Sequence, residues 1–259
     1  IPRTECELLY QPRLSLARGR ITGVEALLRW HSEEIGEMMP SDFIPIAEET
    51  GMILRIGDWV LREACRTLAQ WQRSGLADVA IAVNVSVLQL LRGNLPELIG
   101  AVLAETGAPA ARLELEVTET MVMENAAETR NILNQLRALG LSLAIDDFGT
   151  GYSSLVYLKQ LPIDMLKIDK EFIADLTNDP DDEAITSTII TMAHSLGLSV
   201  IAEGVETQQQ LDFLRDRDCD EIQGFWLSRP LDEQNCRTFI QSWHQTARPT
   251  VAVPIDPAY

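Results

Sequence analysis

A chain of 259 residues, 46% hydrophobic and 23% charged, is long enough for a full core and matches the size of a single-domain α/β barrel. A formal net charge of −18 argues against a DNA or RNA polymer as partner and admits an anionic ligand only where bound cations reverse the local field. No apolar run approaches the roughly 18 residues of a membrane span. Four scattered cysteines, Cys6, Cys65, Cys219 and Cys236, contain no C-x-x-C pair, which excludes a zinc motif and a disulfide framework. The opening residues IPRTECELLYQP are polar and unlike a signal peptide, and the chain does not begin with Met. We expect a cytoplasmic domain cut from a longer protein, which a membrane anchor elsewhere in the chain would not contradict, making no membrane contact of its own.

In chain order, the first strand candidate is ECELLYQPRLSL and the second ITGVEALLRW. The connection between them is too short for a crossover helix, so these two should form an antiparallel hairpin. DWVLREACRTLAQWQRSG follows as a helix, with Trp59, Val60, Ala64, Leu68 and Trp71 as its apolar residues and Gly75 as its stop. Strands DVAIAVNVS and RLELEVTET come next, then the helix ETRNILNQLRALG, ending at Gly140. Strands LSLAIDDFG and DMLKIDK precede a helix, DEAITSTIITMAHSLG, with Ile185, Ile189, Met192 and Leu196 on one face. SVIAEGVE is the seventh strand, TQQQLDFLRD a helix with Thr207 as N-cap, EIQGFWLS the eighth strand and DEQNCRTFIQSW the last helix. Eight strands alternating with about seven or eight helices predict an α/β (β/α)8 TIM-like barrel with an antiparallel first pair. A doubly wound open sheet is the alternative, weakened by the lack of a GxGxxG after any strand. One domain over residues 1–247 and a surface tail over 248–259 are expected.

In such a barrel the chemistry gathers at the C-terminal ends of the strands. The residues that interrupt the apolar runs there are Glu25 and Arg29 on the second strand, Asn84 on the third, and Glu116 and Glu119 on the fourth. The fifth supplies Asp146 and Asp147, the sixth Lys167 and Asp169, the seventh Glu203 and Glu206, and the eighth Gln223. At least five carboxylates would converge with one lysine. Unpaired, they could not all ionise, because close like charges raise each other's pKa. Oxygen ligands from Asp, Glu and Asn suit Mg²⁺ or Mn²⁺, and adjacent aspartates are one way to hold two ions. Two such ions favour in-line displacement at phosphorus, with Lys167 holding the water and Arg29 clamping a phosphate oxygen. A Schiff-base enzyme using Lys167 is the competing barrel chemistry, but a carboxylate ring would raise rather than depress that lysine's pKa. His31, His194 and His244 do not cluster.

At these residues the chain resembles the EAL-domain family of cyclic di-GMP phosphodiesterases. The tripeptide Glu25-Ala26-Leu27 stands in EALLRW, and YQP, FIPIAEETG, NVS, EVTET, DDFGTGYSSL, LPIDMLKIDK, AEGVET and QGFWLSRPL follow in order, over roughly residues 5 to 245. The resemblance implies a barrel with an antiparallel first pair and hydrolysis of cyclic di-GMP to linear pGpG in bacterial signalling. It implies two Mg²⁺ or Mn²⁺ ions, with Ca²⁺ inhibitory. Glu25, Asn84, Glu116 and Asp146 would hold the first metal, and Asp146 and Asp147 the second, with Glu203 beside both. Lys167 would contact the attacking water and Gln223 would order it, while Gln11 and Arg29 would touch substrate. Asp169 would support the site. The loop from Asp147 to Leu155, anchored by Glu119, would couple a homodimer to metal binding; Glu206 is either a ligand or a structural partner. Upstream regulatory domains are expected, and a non-hydrolysing cyclic di-GMP receptor is the alternative within the family.

Overall fold

Strand β1 (Cys6–Ser15) pairs antiparallel with β2 (Arg20–Ser32) in the computed structural model, as the short connection between them requires. The structure describes residues 5–32, 36–124, 126–149 and 155–246, so the predicted tail and positions 150–154 of the loop after the fifth predicted strand lie outside the described residues. The remaining strands are β3 (Gly36–Met38), β4 (Ala80–Asn84), β5 (Leu113–Thr118), β6 (Ser142–Phe148), β7 (Met165–Ile168), β8 (Ser199–Ala202) and β9 (Glu221–Gln223). The sheet runs β1-β9-β8-β7-β6-β5-β4-β2, and the β1–β2 pairing closes it into an eight-stranded barrel. Pairing is parallel from β2 through β4 to β9, while β1 is antiparallel to both neighbours. The ninth strand, β3, is not among the eight predicted. It pairs with the outer end of β2 at Trp30↔Met38, where the long β2 leaves an edge to cover.

The helices are α1 (Pro40–Glu49), α2 (Ile53–Arg73), α3 (Val87–Arg92), α4 (Leu95–Thr106), α5 (Glu119–Glu124), α6 (Ala126–Ala138), α7 (Leu155–Leu158), α8 (Lys170–Ala174), α9 (Pro180–Ser195), α10 (Gln208–Asp216) and α11 (Glu233–Thr246). Thr207 caps α10 as predicted, in a capping box with Gln210. None of the described helices is long and apolar enough to cross a membrane.

The apolar core lies between the strands and the helices. Leu113, Leu115 and Val117 of β5, Leu143 and Ile145 of β6, and Leu166 and Ile168 of β7 are almost fully buried there, with Trp71, Leu61 and Leu68 of α2. Each buried side chain of this size contributes about 1.5–3 kcal/mol. The alternate residues of the same strands face the barrel interior. Several are small or charged, Ala82 and Ala144 beside Glu114, Glu116 and Lys167, and Ile201 stands in register with Lys167. Many barrels fill this interior with branched apolar chains; here charged groups take much of that space.

Strands β8 and β9 end earlier than predicted, at Ala202 and Gln223. Beyond them the chain turns so that Val205 bonds to the Gln223 carbonyl and Trp226 to the Val205 carbonyl. Gly224 lies flat against this crossing, and a Cβ there would stand 2.2 Å from Val205 O and 2.3 Å from Val205 N. Gly224→Ala should therefore push two backbones apart and lower the unfolding free energy by about 1–3 kcal/mol, as overpacking does. Urea denaturation checks this; a change within 0.5 kcal/mol, roughly that of an ordinary surface substitution, would contradict it.

Candidate metal centre

The barrel mouth is built around one ammonium. Lys167, fully buried on β7, lies 2.6 Å from Glu203 Oε1, 2.7 Å from Glu116 Oε2, 3.2 Å from Asp146 Oδ1 and 3.6 Å from Glu25 Oε2. Those acids come from the end of β8, from β5, from β6 and from β2, so four strands around the barrel converge on one point. An ammonium has three N–H donors, fewer than the carboxylates around it. Glu25 has further support: Asn84 Nδ2 donates to its Oε1 at 2.7 Å and Gln223 Nε2 to its Oε2 at 2.6 Å. Gln223 Nε2 also reaches Gln11 Oε1 at 3.2 Å, and Gln11 Nε2 donates to the Ser228 carbonyl.

Successive residues of a regular strand face opposite sides, so Asp146 and Asp147 could not both serve one site from an unbroken β6. The pairing with β7 shifts register between Ile145 and Phe148, and Asp147 takes a left-handed backbone angle of φ 52°. Two residues of β6 thus stand opposite Lys167 alone, a bulge that re-aims the second carboxylate. The Asp147 amide donates to Asp146 Oδ1 at 3.0 Å. Two triads of ligand oxygens result, Glu25–Glu116–Asp146 and Asp146–Asp147–Glu203, each within 4.8 Å of one another and sharing Asp146. The donors are all carboxylate oxygens, and Glu116 Oε1 is buried with no hydrogen-bond partner. That donor set fits a hard divalent cation rather than one that prefers thiolate or imidazole.

The protonation behaviour has the same cause. Burial lowers the Lys167 pKa, but Glu116, Glu203, Glu25 and Asp146 outweigh it and hold the ammonium well above its ordinary range. Burial drives Glu116 well above the usual carboxylate range; Lys167 opposes this, while Glu25, Asp146 and Glu203 add to it. Glu203 is raised to about 8 by burial, against the pull of Lys167 and with repulsion from Asp146 and Glu25. Asp147 is raised to about 7 by burial, then by Asp146 and by its hydrogen bond with Asp169. At Glu25, burial is overcome by Lys167 and by the Gln223 and Asn84 hydrogen bonds, and its pKa is lowered.

Other predicted residues surround this centre. Glu119, nearly buried, accepts the Gly149 amide at 2.9 Å through Oε2 and so holds the first residues of the predicted loop. Asp169 caps α8 by accepting the Glu171 amide and faces Asp147. Arg29 is half-buried on β2, four residues past Glu25 and hence on the same face, with Nη1 donating to the Leu28 carbonyl. Glu206 is exposed at the start of α10, its amide bonded to Gln210, and belongs to neither triad.

Arg13 is not among the predicted site residues. It is buried on β1 below the ring, pairs with Glu114, and lies 3.5 Å from Glu221 and 3.9 Å from Glu116. Burial lowers its pKa, yet Glu114, Glu221 and Glu116 together raise it. The signal for it is the alternation in YQPRLS, where Gln11, Arg13 and Ser15 share a face opposite Tyr10, Pro12 and Leu14.

Comparison with known proteins matches residues 1–230 to the EAL domain. The chain is 46% identical over 231 residues to the bifunctional diguanylate cyclase/cyclic di-GMP phosphodiesterase MucR of Pseudomonas aeruginosa, covering 89% of this chain and 34% of MucR. It is 46% identical over 245 residues to the cyclic di-GMP phosphodiesterase NbdA of the same organism, covering 95% of this chain and 31% of NbdA. The chain therefore spans about a third of the length of these relatives. Among solved structures, the PaMucR phosphodiesterase in complex with c-di-GMP superposes with a TM-score of 0.88 at 46% identity, over 90% of this chain and 95% of that one.

The raised acids set a pH dependence. Asp147 at about 7 and Glu203 at about 8 keep protons that the unfolded chain releases near pH 4. The folded state then binds more protons across that window, so stability contributed by these groups is present below about pH 4 and is lost as pH rises towards 8. The Tm of the metal-free chain should fall from pH 5 to 8, less steeply in Asp147→Asn, and Mg²⁺ should restore more at pH 8 than at pH 5. A scan of Tm against pH with and without Mg²⁺ checks this; a flat metal-free profile, identical in the variant, would refute the assignment.

Proposed function

This chain belongs to the EAL domain family, and on that premise we propose that it is a cyclic-guanylate-specific phosphodiesterase that opens cyclic di-GMP to linear pGpG with two Mg²⁺ or Mn²⁺ ions. The observation that carries the reading is the pair of carboxylate triads sharing Asp146 around Lys167. Glu25, Asn84, Glu116 and Asp146 would hold one ion, and Asp146 and Asp147 the other, with Glu203 beside both. When bound, such ions neutralise phosphate charge and lower the pKa of water. A chain of net charge −18 needs that positive charge before it can accept an anionic dinucleotide.

The chain's own groups supply the rest. Lys167, held between Glu116 and Glu203, presents an ammonium to orient the attacking water. Gln223 fixes Glu25 and Gln11 through one amide nitrogen, which ties the floor of the site to its wall. Arg29 clamps a phosphate oxygen from β2, and Gln11 meets the substrate beside it. Water adds to phosphorus as one bridging phosphoester bond breaks, so one of the two diester links opens. Asp169 supports Asp147 from behind, and Glu119 holds Gly149 in the first part of the loop from Asp147 to Leu155, through which a homodimer would form. The attachment of regulatory domains in the same polypeptide and a cytoplasmic location are part of the proposal.

The test is turnover of cyclic di-GMP. The unaltered chain should form pGpG with Mg²⁺ or Mn²⁺ and be inhibited by Ca²⁺, and Asp147→Asn should lose at least about 100-fold in kcat, the upper end of what even outer-shell partners cost. Tight binding without conversion in any of these ions would instead identify a receptor. Light scattering on the purified chain checks the dimer; a monomer at every concentration would remove the loop's proposed role.

A further inference from the structure

The second buried cation of the barrel has no part in the function proposed above. Arg13 is 1% exposed and, paired with Gly23, lies two residues below Glu25 along β2. Its Nη2 pairs with Glu114 Oε2, its Nε stands 3.5 Å from Glu221 Oε2, and its Nη1 lies 3.9 Å from Glu116 Oε1. Glu114 and Glu116 are inward neighbours on β5, so the guanidinium grips the strand one pleat below the proposed ligand. Glu116 stands between the two cations, Oε2 on Lys167 and Oε1 turned towards Arg13.

The neighbouring strand leaves room for it. Arg13 is in register with Gly23 of β2, and a Cβ at position 23 would sit 2.4 Å from Arg13 Nη2. Gly23 is not among the glycines with positive φ, so backbone freedom does not account for it; room for the guanidinium does. A purely stabilising role explains Arg13 poorly, because a buried ion pair is often replaced by apolar groups at no loss of stability. Charge placement explains it better. Arg13 neutralises Glu114 and Glu221, which would otherwise extend the carboxylate ring downwards and draw a cation away from the mouth.

We infer that Arg13 is a positioning residue for the cation site, its guanidinium hydrogen-bonded to Glu114 and acting on the Glu116 carboxylate one pleat above by charge across 3.9 Å, without a hydrogen bond to it. This rests on the metal reading above. Partners that orient a metal ligand typically change metal affinity by about 10–100-fold when removed.

The experiment is Mn²⁺ titration of the purified chain, with free Mn²⁺ followed by electron paramagnetic resonance and Tm measured in parallel. Arg13→Met should weaken Mn²⁺ binding about tenfold. Arg13→Lys, which restores the charge without the planar fork, should recover part of that loss. Gly23→Ala keeps Arg13 but displaces its guanidinium, and should weaken binding in the same direction; it decides the matter alone if Arg13→Met does not fold. Mn²⁺ affinity within about twofold of the unaltered chain in Arg13→Met, or in Gly23→Ala where that variant decides, with only Tm lowered, would overturn the inference, since it falls below the range for ligand-orienting partners. Failure of the unaltered chain to bind Mn²⁺ would overturn the metal reading itself, and this inference with it.

Discussion

One ammonium facing four carboxylates at the mouth of a barrel is the constraint on which the rest of the molecule depends. Like charges about 4 Å apart repel by roughly 4 kcal/mol per pair in a protein-like dielectric, and Lys167 cannot offset that for every pair. Such a group of acids persists only if their strands are held rigidly and other positive charge is brought in. The outer layer provides the rigidity: Leu113, Leu115, Leu143, Leu166 and Val200 bury their side chains against helices on the side away from the charge.

This division of labour sets the residue types inside. Ala82 and Ala144 leave space beside Glu25, Glu114 and Glu116, and Gly23 leaves space for Arg13. The interior is a column of alternating sign, with carboxylates at the mouth, Lys167 among them, Arg13 below and Glu114 and Glu221 at its sides. Its cost is recovered in the apolar shell rather than in the pairs themselves, since a buried ion pair is weak evidence for stability. At the proposed site Asp147 holds a left-handed conformation uncommon for a residue with a Cβ, as Asn94 and Asp218 do elsewhere.

Three local devices hold the acids at a common height. The Asn84–Glu25–Gln223 chain links β4, β2 and β9 across the mouth. The crossing of Gly224 over Val205 fixes where β9 stops and so where Gln223 points. Glu119 binds the Gly149 amide and sets the exit of the chain from the bulge.

Much of this was legible in the sequence. Alternating strands and helices implied the barrel, the short link after Ser15 implied the antiparallel pair, and the acids breaking the apolar runs named Glu25, Glu116, Asp146, Asp147, Glu203 and the lone Lys167. Such features are carried by period and residue type, which local sequence states directly. Strand β3 was missed because a three-residue strand exists only where β2 offers an edge. Arg13 was missed because a single arginine in an alternating strand reads as a solvated residue until the sheet closes and its polar face becomes the inside. Likewise, neighbouring aspartates in a strand point apart by default, and only the register slip between β6 and β7 turns both to one site. Sequence alone determined which chemical groups are present and near which strand end most of them stand, although Glu119 opens α5 and Asp169 and Glu203 lie just past β7 and β8; closure of the barrel decided which of them share a space, because inside and outside are properties of the closed sheet and of no single segment.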